Sequence, residues 1–290
     1  MSAEIATENV GLFAKAPRIS EPSQLDGLLR EAEVYSYISQ SSEQMPWLPT
    51  LVHFDHYSST LVTTLFRNAN RIFDIRRTDE RRFLARMIDA IQGLDIAHRT
   101  LSRLHVNRGN YQRSTIPWIF KRDTPLFQRL SSCRCGSIAT DFLNSRRCMM
   151  FILQTGSLYR TCAVTHQDIK WSNILVRTED ERFCIVDWEL SAWGDPVWDF
   201  SGMIHQFIID KLFSLNANAN SPLFAIVFEQ IIAVISRDWT LRNPRELLMK
   251  FTVARSIQAM IEVVLAGDGD TKKLSIAFQR LETIMIDVSR

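Results

Sequence analysis

The chain has 290 residues, is 46% apolar and carries a formal charge of +2, which suits a globular protein of one large domain or two unequal ones and implies no obligatory polyanion partner. The polar opening MSAEIATENV lacks the basic and apolar regions of a secretory signal. The best apolar run, FAIVFEQIIAVIS, is broken by Glu229 and Gln230 and falls short of the roughly 18 residues that span a bilayer, so the reading is cytoplasmic with no membrane segment.

In chain order, residues 2 to 16 read as a hairpin of AEIAT and GLFAKA around a Glu8-Asn9 turn. Lys15 lies inside an otherwise apolar strand, and the residues alone favour an edge-strand lysine that blunts aggregation. Beyond Pro17 and Pro22, Leu25, Leu28, Leu29, Ala32, Tyr35, Tyr37 and Ile38 approximate helical spacing to residue 40, with Glu31 and Glu33 flanking the apolar face. LVHFD and STLVTTLF form a second strand pair. Helical signals take over at Asn68, which sets a lobe boundary at Phe66 or Arg67.

Residues 79 to 104 predict a long amphipathic helix with Phe83, Met87, Ile91, Leu94 and Ala97 or His98 on one face. Its arginines are interleaved with acids and no nucleic-acid-binding pattern accompanies them. Residues 106 to 160 are the least regular and the most lopsided: nine basic residues from Arg108 to Arg160 face only Asp123 and Asp141. Helices follow at 197–215, 223–236, 244–265 and 271–288, divided by NANANS and by Gly267 and Gly269. The five cysteines show no zinc spacing and read as buried or incidental thiols.

The chemistry concentrates between Val164 and Phe200, VTHQDIKWSNILVRTEDERFCIVDWELSAWGDPVWDF. NILV and FCIVD read as two strands joined by RTEDER and turning near Asp180, so Asn173 and Asp187 end up side by side. A carboxylate beside an amide oxygen is a platform for Mg²⁺ when phosphates complete its shell. Asp168, five residues before Asn173 on a loop approaching the same point, is placed to accept a proton from an attacking hydroxyl.

HQDIKWSN, then VDWE, then GDPVWD resembles the aminoglycoside phosphotransferase and choline kinase group of the protein-kinase-like superfamily, whose usual wording is His-Gly-Asp, an Asn five residues on, Ile-Asp-Trp-Glu, then Gly-Asp-Pro and an Asp. The likeness extends more weakly through SRLH at 102 to 105 and through REAEVY. It implies an α+β, bilobal protein-kinase-like fold: a small, abbreviated β-rich N-lobe over residues 1–66 and a large, mostly helical C-lobe over 67–290. It implies ATP and Mg²⁺ as cofactors, Asp168 as catalytic base, His166 bracing the catalytic loop, and Asn173 and Asp187 as metal ligands. Lys15 then pairs with the nucleotide phosphates and with Glu31, which displaces the edge-strand reading. The adenine hinge falls within Thr63 to Arg67, Asp195 and Pro196 start a helix, and Asp199 supports the catalytic loop.

Two features depart from the pattern. Only fourteen residues precede Lys15, where the family has two strands and a phosphate-covering loop, and no Gly-rich loop is present. The expectation is an abbreviated lobe, a further N-terminal segment, or a partner protein that completes the site, with weak ATP binding by the chain alone. Lys170 stands where small-molecule kinases commonly carry His; it resembles the lysine that Ser/Thr protein kinases hold over the transferred phosphate, and it reads equally as a solvated lysine beside Trp171. With the basic segment it argues against a polycationic aminoglycoside. The expected function is transfer of the ATP γ-phosphate to a hydroxyl of a small metabolite or natural product. The alternatives are a Ser/Thr kinase component of a split peptide-modifying synthetase of lanthipeptide or thioamitide type, working with a partner protein, and a non-catalytic pseudokinase scaffold. No nucleic-acid or membrane partner is expected.

Overall fold

The structure is a computed structural model of the chain and describes residues 2–6, 11–17, 22–40, 45–105, 115–121, 125–130, 132–213, 222–239, 241–267 and 270–289. The chain divides into two compact units, one of Met1–Ser114 with Cys162–Pro196, the other of Thr115–Thr161 with Val197–Arg290. The predicted Glu8-Asn9 turn, the NANANS linker, Gly269, and Arg108, Arg113, Arg122 and Asp123 of the basic segment lie outside the described residues.

In the first unit, β1 (Ser2–Ala6), β2 (Gly11–Lys15), β3 (Leu51–Asp55) and β4 (Thr60–Thr64) form an antiparallel sheet in the order β1-β2-β4-β3. Lys15 is therefore on an inner strand, opposite Ser2 on one side and Leu61 on the other, and the edge-strand reading is overturned. Strand β4 alternates as a half-buried strand should, with Leu61 and Thr63 turned inward. Asp55 closes the β3–β4 hairpin by accepting from the Tyr57 amide at 2.9 Å and the Ser58 hydroxyl at 2.5 Å, the side chain standing in for a backbone acceptor.

Helix α1 (Pro22–Gln40) buries Leu28, Ala32, Val34 and Tyr35, and with them the acidic Glu31. A second sheet, β5 (Ala69–Arg71), β7 (Ile174–Arg177) and β8 (Phe183–Ile185), holds the predicted central hairpin, with Ile174 opposite Ile185 and Leu175 opposite Cys184. Its turn is clamped at Asp180, whose two oxygens take the Arg177 fork at 2.8 and 2.6 Å. A third pair joins β6 (Ala163–Thr165) to β9 (Ala192–Gly194). Beneath lie α2 (Ile72–Thr78) and α3 (Glu80–His105). The predicted α3 face, Phe83, Met87, Ile91, Leu94, Ala97 and His98, is buried throughout, and Trp171 of the central stretch packs 5.1 Å from the Phe83 ring.

The second unit is helical among its described residues: α4 (Pro125–Leu130), α5 (Gly136–Asn144), α6 (Arg146–Gly156), α7 (Pro196–Phe213), α8 (Pro222–Asp238), α9 (Pro244–Leu265) and α10 (Thr271–Ser289). Helix α7 starts at Pro196, as the Gly-Asp-Pro wording implies. The Asn243 side chain accepts from the Glu246 amide to cap α9, with Pro244 at its first position. Phe120, Tyr159, Trp198 and Phe251 cluster with ring centres 5.4 to 6.4 Å apart, and the buried Arg255 guanidinium lies 5.1 Å over Trp198. No helix among the described residues is long and apolar enough to cross a membrane.

Candidate active site

Three carboxylates converge on one ammonium in the first unit. Lys15 Nζ donates to Asp187 Oδ1 at 2.7 Å, to Glu189 Oε2 at 2.5 Å and to Glu31 Oε2 at 3.1 Å. The four residues come from three elements: Lys15 ends β2, Glu31 sits midway along α1, and Asp187 and Glu189 both lie at the 3-10 turn Trp188–Leu190. Burial works to lower the Lys15 value, but the charges of Glu31 and Asp187 outweigh it and hold the ammonium above the ordinary lysine range. Burial pushes the Glu31 carboxyl up, the Lys15 charge opposes this, and the like charge of Asp187 adds to it. Asp187 itself adopts a left-handed conformation, φ +72°, which turns the chain sharply after β8.

The loop before Asn173 is tied to the strand before Asp187 by hydrogen bonds that need particular residues. His166 is fully buried; its Nδ1 accepts from the Asp168 amide at 3.2 Å, so Nε2 carries the proton and donates to the Val186 carbonyl at 2.9 Å. The imidazole packs 4.8 Å from the Trp188 ring. The Asn173 Nδ2 donates to the Asp168 carbonyl at 3.1 Å, and the Asn173 carbonyl accepts from Val186 N at 3.0 Å. The Asn173 amide nitrogen is thus committed to the loop, while its Oδ1 accepts from the Ser172 hydroxyl at 3.4 Å. Gln167, between His166 and Asp168, has φ +70°. That is the left-handed region glycine enters without penalty, and Gln167 holds it with a 2.5 Å bond from Nε2 to Thr165 Oγ1.

A cavity of about 340 Å³ opens on the lysine cluster. Phe13, Leu61, Leu65, Phe66, Leu175 and Val186 give it an apolar lining suited to a flat ring, and Lys15, Glu31, Asn173 and Asp187 supply its charged and amide groups. Thr63 to Phe66 of the expected hinge line it, whereas the Arg67 side chain lies over Gly11, where a Cβ would meet Arg67 Nε at 2.2 Å.

A family model described as the phosphotransferase enzyme family matches residues 17–219, more than half of the chain. The chain belongs to the phosphotransferase enzyme family. This phosphotransferase is similar in fold to a choline kinase from Cryptosporidium parvum Iowa II, at 11% identity and a TM-score of 0.61, covering 100% of this chain and 90% of that one. It is similar to a choline/ethanolamine kinase family protein from Mesorhizobium loti, at 15% identity, a TM-score of 0.58 and coverage of 98% and 88%. An ADP-bound aminoglycoside phosphotransferase aligns at 13% identity with a TM-score of 0.53, covering 99% and 94%. No curated protein matches. The fold is the expected α+β, bilobal protein-kinase-like one, with a small sheet N-lobe and a helical C-lobe.

Of the residues singled out in the sequence, Lys15, Glu31, Asn173 and Asp187 line one cavity, and His166 and Asp168 share the loop beside it. Lys170 keeps 45% of its side chain exposed, and its Nζ pairs with Asp168 Oδ2 at 2.6 Å. Sequence reasoning missed Glu189, which holds Lys15 as closely as Asp187 does. The available signal was the Trp-Glu wording directly after Asp187. Gly27 was missed as well; on α1 it lets the helix approach this turn, and a Cβ there would lie 3.3 Å from Glu189 Cβ.

Proposed function

We propose that this kinase uses ATP and Mg²⁺ to phosphorylate a hydroxyl of a small metabolite or natural product. Residues 1–66 would form the nucleotide lobe and 67–290 the catalytic and acceptor lobe. The observation that carries the reading is the convergence of Lys15 on Glu31, Asp187 and Glu189, with carboxylate oxygens within 4.8 Å of one another, at a cavity also lined by Asn173. One ammonium among three carboxylates leaves an excess of two negative charges, which is the charge of one divalent cation, and all the donors are hard oxygens suited to Mg²⁺. Asp187, Asn173 Oδ1 and Glu189 would hold the metal. When bound, Mg²⁺ neutralises charge on the nucleotide phosphates.

The chain's own groups would do the rest. Lys15, kept charged by its neighbours, binds the nucleotide phosphates, and Glu31 holds it there. Asp168 accepts the proton of the acceptor hydroxyl, and His166 and Asn173 hold its loop in place. Lys170 places a positive charge 2.6 Å from the base, where charge develops on the phosphoryl group. The Lys170–Asp168 pair also favours a second reading, a Ser/Thr hydroxyl on a peptide, because the same lysine marks kinases of that class.

Turnover of ATP with Mg²⁺ against small alcohols, aminoglycosides and Ser/Thr peptides tests these readings together. Asp168→Asn is expected to slow transfer by about 10²- to 10⁴-fold while leaving nucleotide binding intact. Transfer at the wild-type rate by that variant overturns the assignment of the base. A cellular phenotype that survives Asp168→Asn would mark the protein as a scaffold.

A further inference from the structure

We propose that Tyr35 is a positioning residue for phosphoryl transfer, acting through Glu31 on Lys15; the inference rests on the nucleotide site proposed above. Tyr35 is 1% exposed, and one helical turn beyond Glu31 on α1 its hydroxyl donates to Glu31 Oε1 at 2.9 Å. Glu31 is itself only 4% exposed, and its other oxygen, Oε2, takes Lys15. The two oxygens of one buried carboxylate are therefore divided between two donors, and the division sets the rotation of the carboxylate.

A tyrosine that only filled the core would be replaceable by phenylalanine, since the ring supplies the buried area and the hydroxyl adds a polar group that must find a partner. Here the partner is the glutamate that anchors Lys15. Without the phenol, Oε1 is a buried carboxylate oxygen with one donor fewer, which favours rotation of Glu31 away from Lys15 Nζ. Burial holds the phenol well above its ordinary value, so it stays a hydrogen donor. Helical geometry repeats the device: Gly27, Glu31 and Tyr35 recur every four residues on one face, with Gly27 admitting Glu189, Glu31 taking Lys15, and Tyr35 fixing Glu31.

The test is a double-mutant cycle read by calorimetric titration with Mg·ADP, using wild type, Tyr35→Phe, Glu31→Gln and the double variant. Tyr35→Phe is expected to weaken binding about tenfold, and to add nothing in the Glu31→Gln background. Wild-type affinity in Tyr35→Phe overturns the proposal, as does the same loss with and without Glu31. A Tyr35→Phe chain that fails to fold also overturns it, because the hydroxyl would then act on the core. If wild type does not bind Mg·ADP, the nucleotide site itself falls; if wild type binds and the variant binds equally, only the role of Tyr35 falls.

Discussion

Lys15 and Asp187 stand 172 positions apart in the chain and 2.7 Å apart in space. The lysine meets Glu31 and Glu189 as well, so one ammonium is shared by three carboxylates. Lys15→Met leaves three carboxylates crowded with no counter-charge. We expect kcat/KM for ATP to fall by about 10²- to 10³-fold. Mn²⁺ should bind the nucleotide-free variant more tightly than wild type, as read by electron paramagnetic resonance. Equal Mn²⁺ affinity would show that Lys15 does not compete for the acids.

The same lysine sets a pH dependence. Its value is raised in the folded state above the ordinary 10.5, so its contribution to stability is complete below 10.5 and is lost only as pH climbs through the higher folded value. The difference in unfolding free energy between wild type and Lys15→Met should be flat from about pH 8 to 10 and shrink only above that. Denaturant titrations across that range check it, and a gap that closes below pH 10 contradicts it.

Gly27 separates helix propensity from function. Alanine there favours α1 by about 0.5–1 kcal/mol, yet its Cβ lands 3.3 Å from Glu189 Cβ, so the turn must yield by a few tenths of an ångström. Gly27→Ala should keep or raise the melting temperature while increasing the Mg²⁺ concentration needed for half-maximal turnover severalfold. An unchanged Mg²⁺ requirement would remove Glu189 from the metal site.

At Gln167 the backbone has φ +70°. Gln167→Gly relieves a left-handed penalty of about 1 kcal/mol but gives up the bond to Thr165 and gains chain entropy on unfolding, so its stability should lie within about 1 kcal/mol of wild type. Gln167→Ile should cost about 2 kcal/mol and slow turnover, because a β-branched residue in that region displaces Asp168 next to it. Urea unfolding and initial rates measure both.

The thiols should divide by burial. Burial pushes the Cys148 thiol up to about 12 and raises Cys184 too, whereas Cys162 is exposed. A thiol reagent at pH 8 should modify Cys162 first in the folded protein and reach Cys148 and Cys184 only on unfolding, as peptide mass spectrometry would show. Early modification of Cys148 would contradict the packing of α6.

Much of the architecture was legible because it follows from local rules. The buried face of α3 reads from its spacing, the β7–β8 turn from RTEDER, and the limits of α9 from Pro244 and Gly267. Asn173 and Asp187 were placed together by counting from that turn, although the register sets Ile174 opposite Ile185, so that Val186, and not Asp187, bonds to Asn173. Glu189 and Tyr35 were illegible as site residues because an acid after a tryptophan and a tyrosine on an apolar helical face look ordinary until their neighbours are known.

By itself, the sequence determined the order of the motifs and the proximity of Asp168, Asn173 and the end of the central hairpin, since these need only strand pairing and a tight loop. The tertiary structure decided what Lys15 is. Its partners lie 16, 172 and 174 residues away. Such pairings come only when the sheet, α1 and the turn after β8 close together, against the chain entropy of long loops. The carboxylates that the fold brings to it then make this lysine the charged centre of the site, because their charges outweigh the burial that would otherwise discharge it.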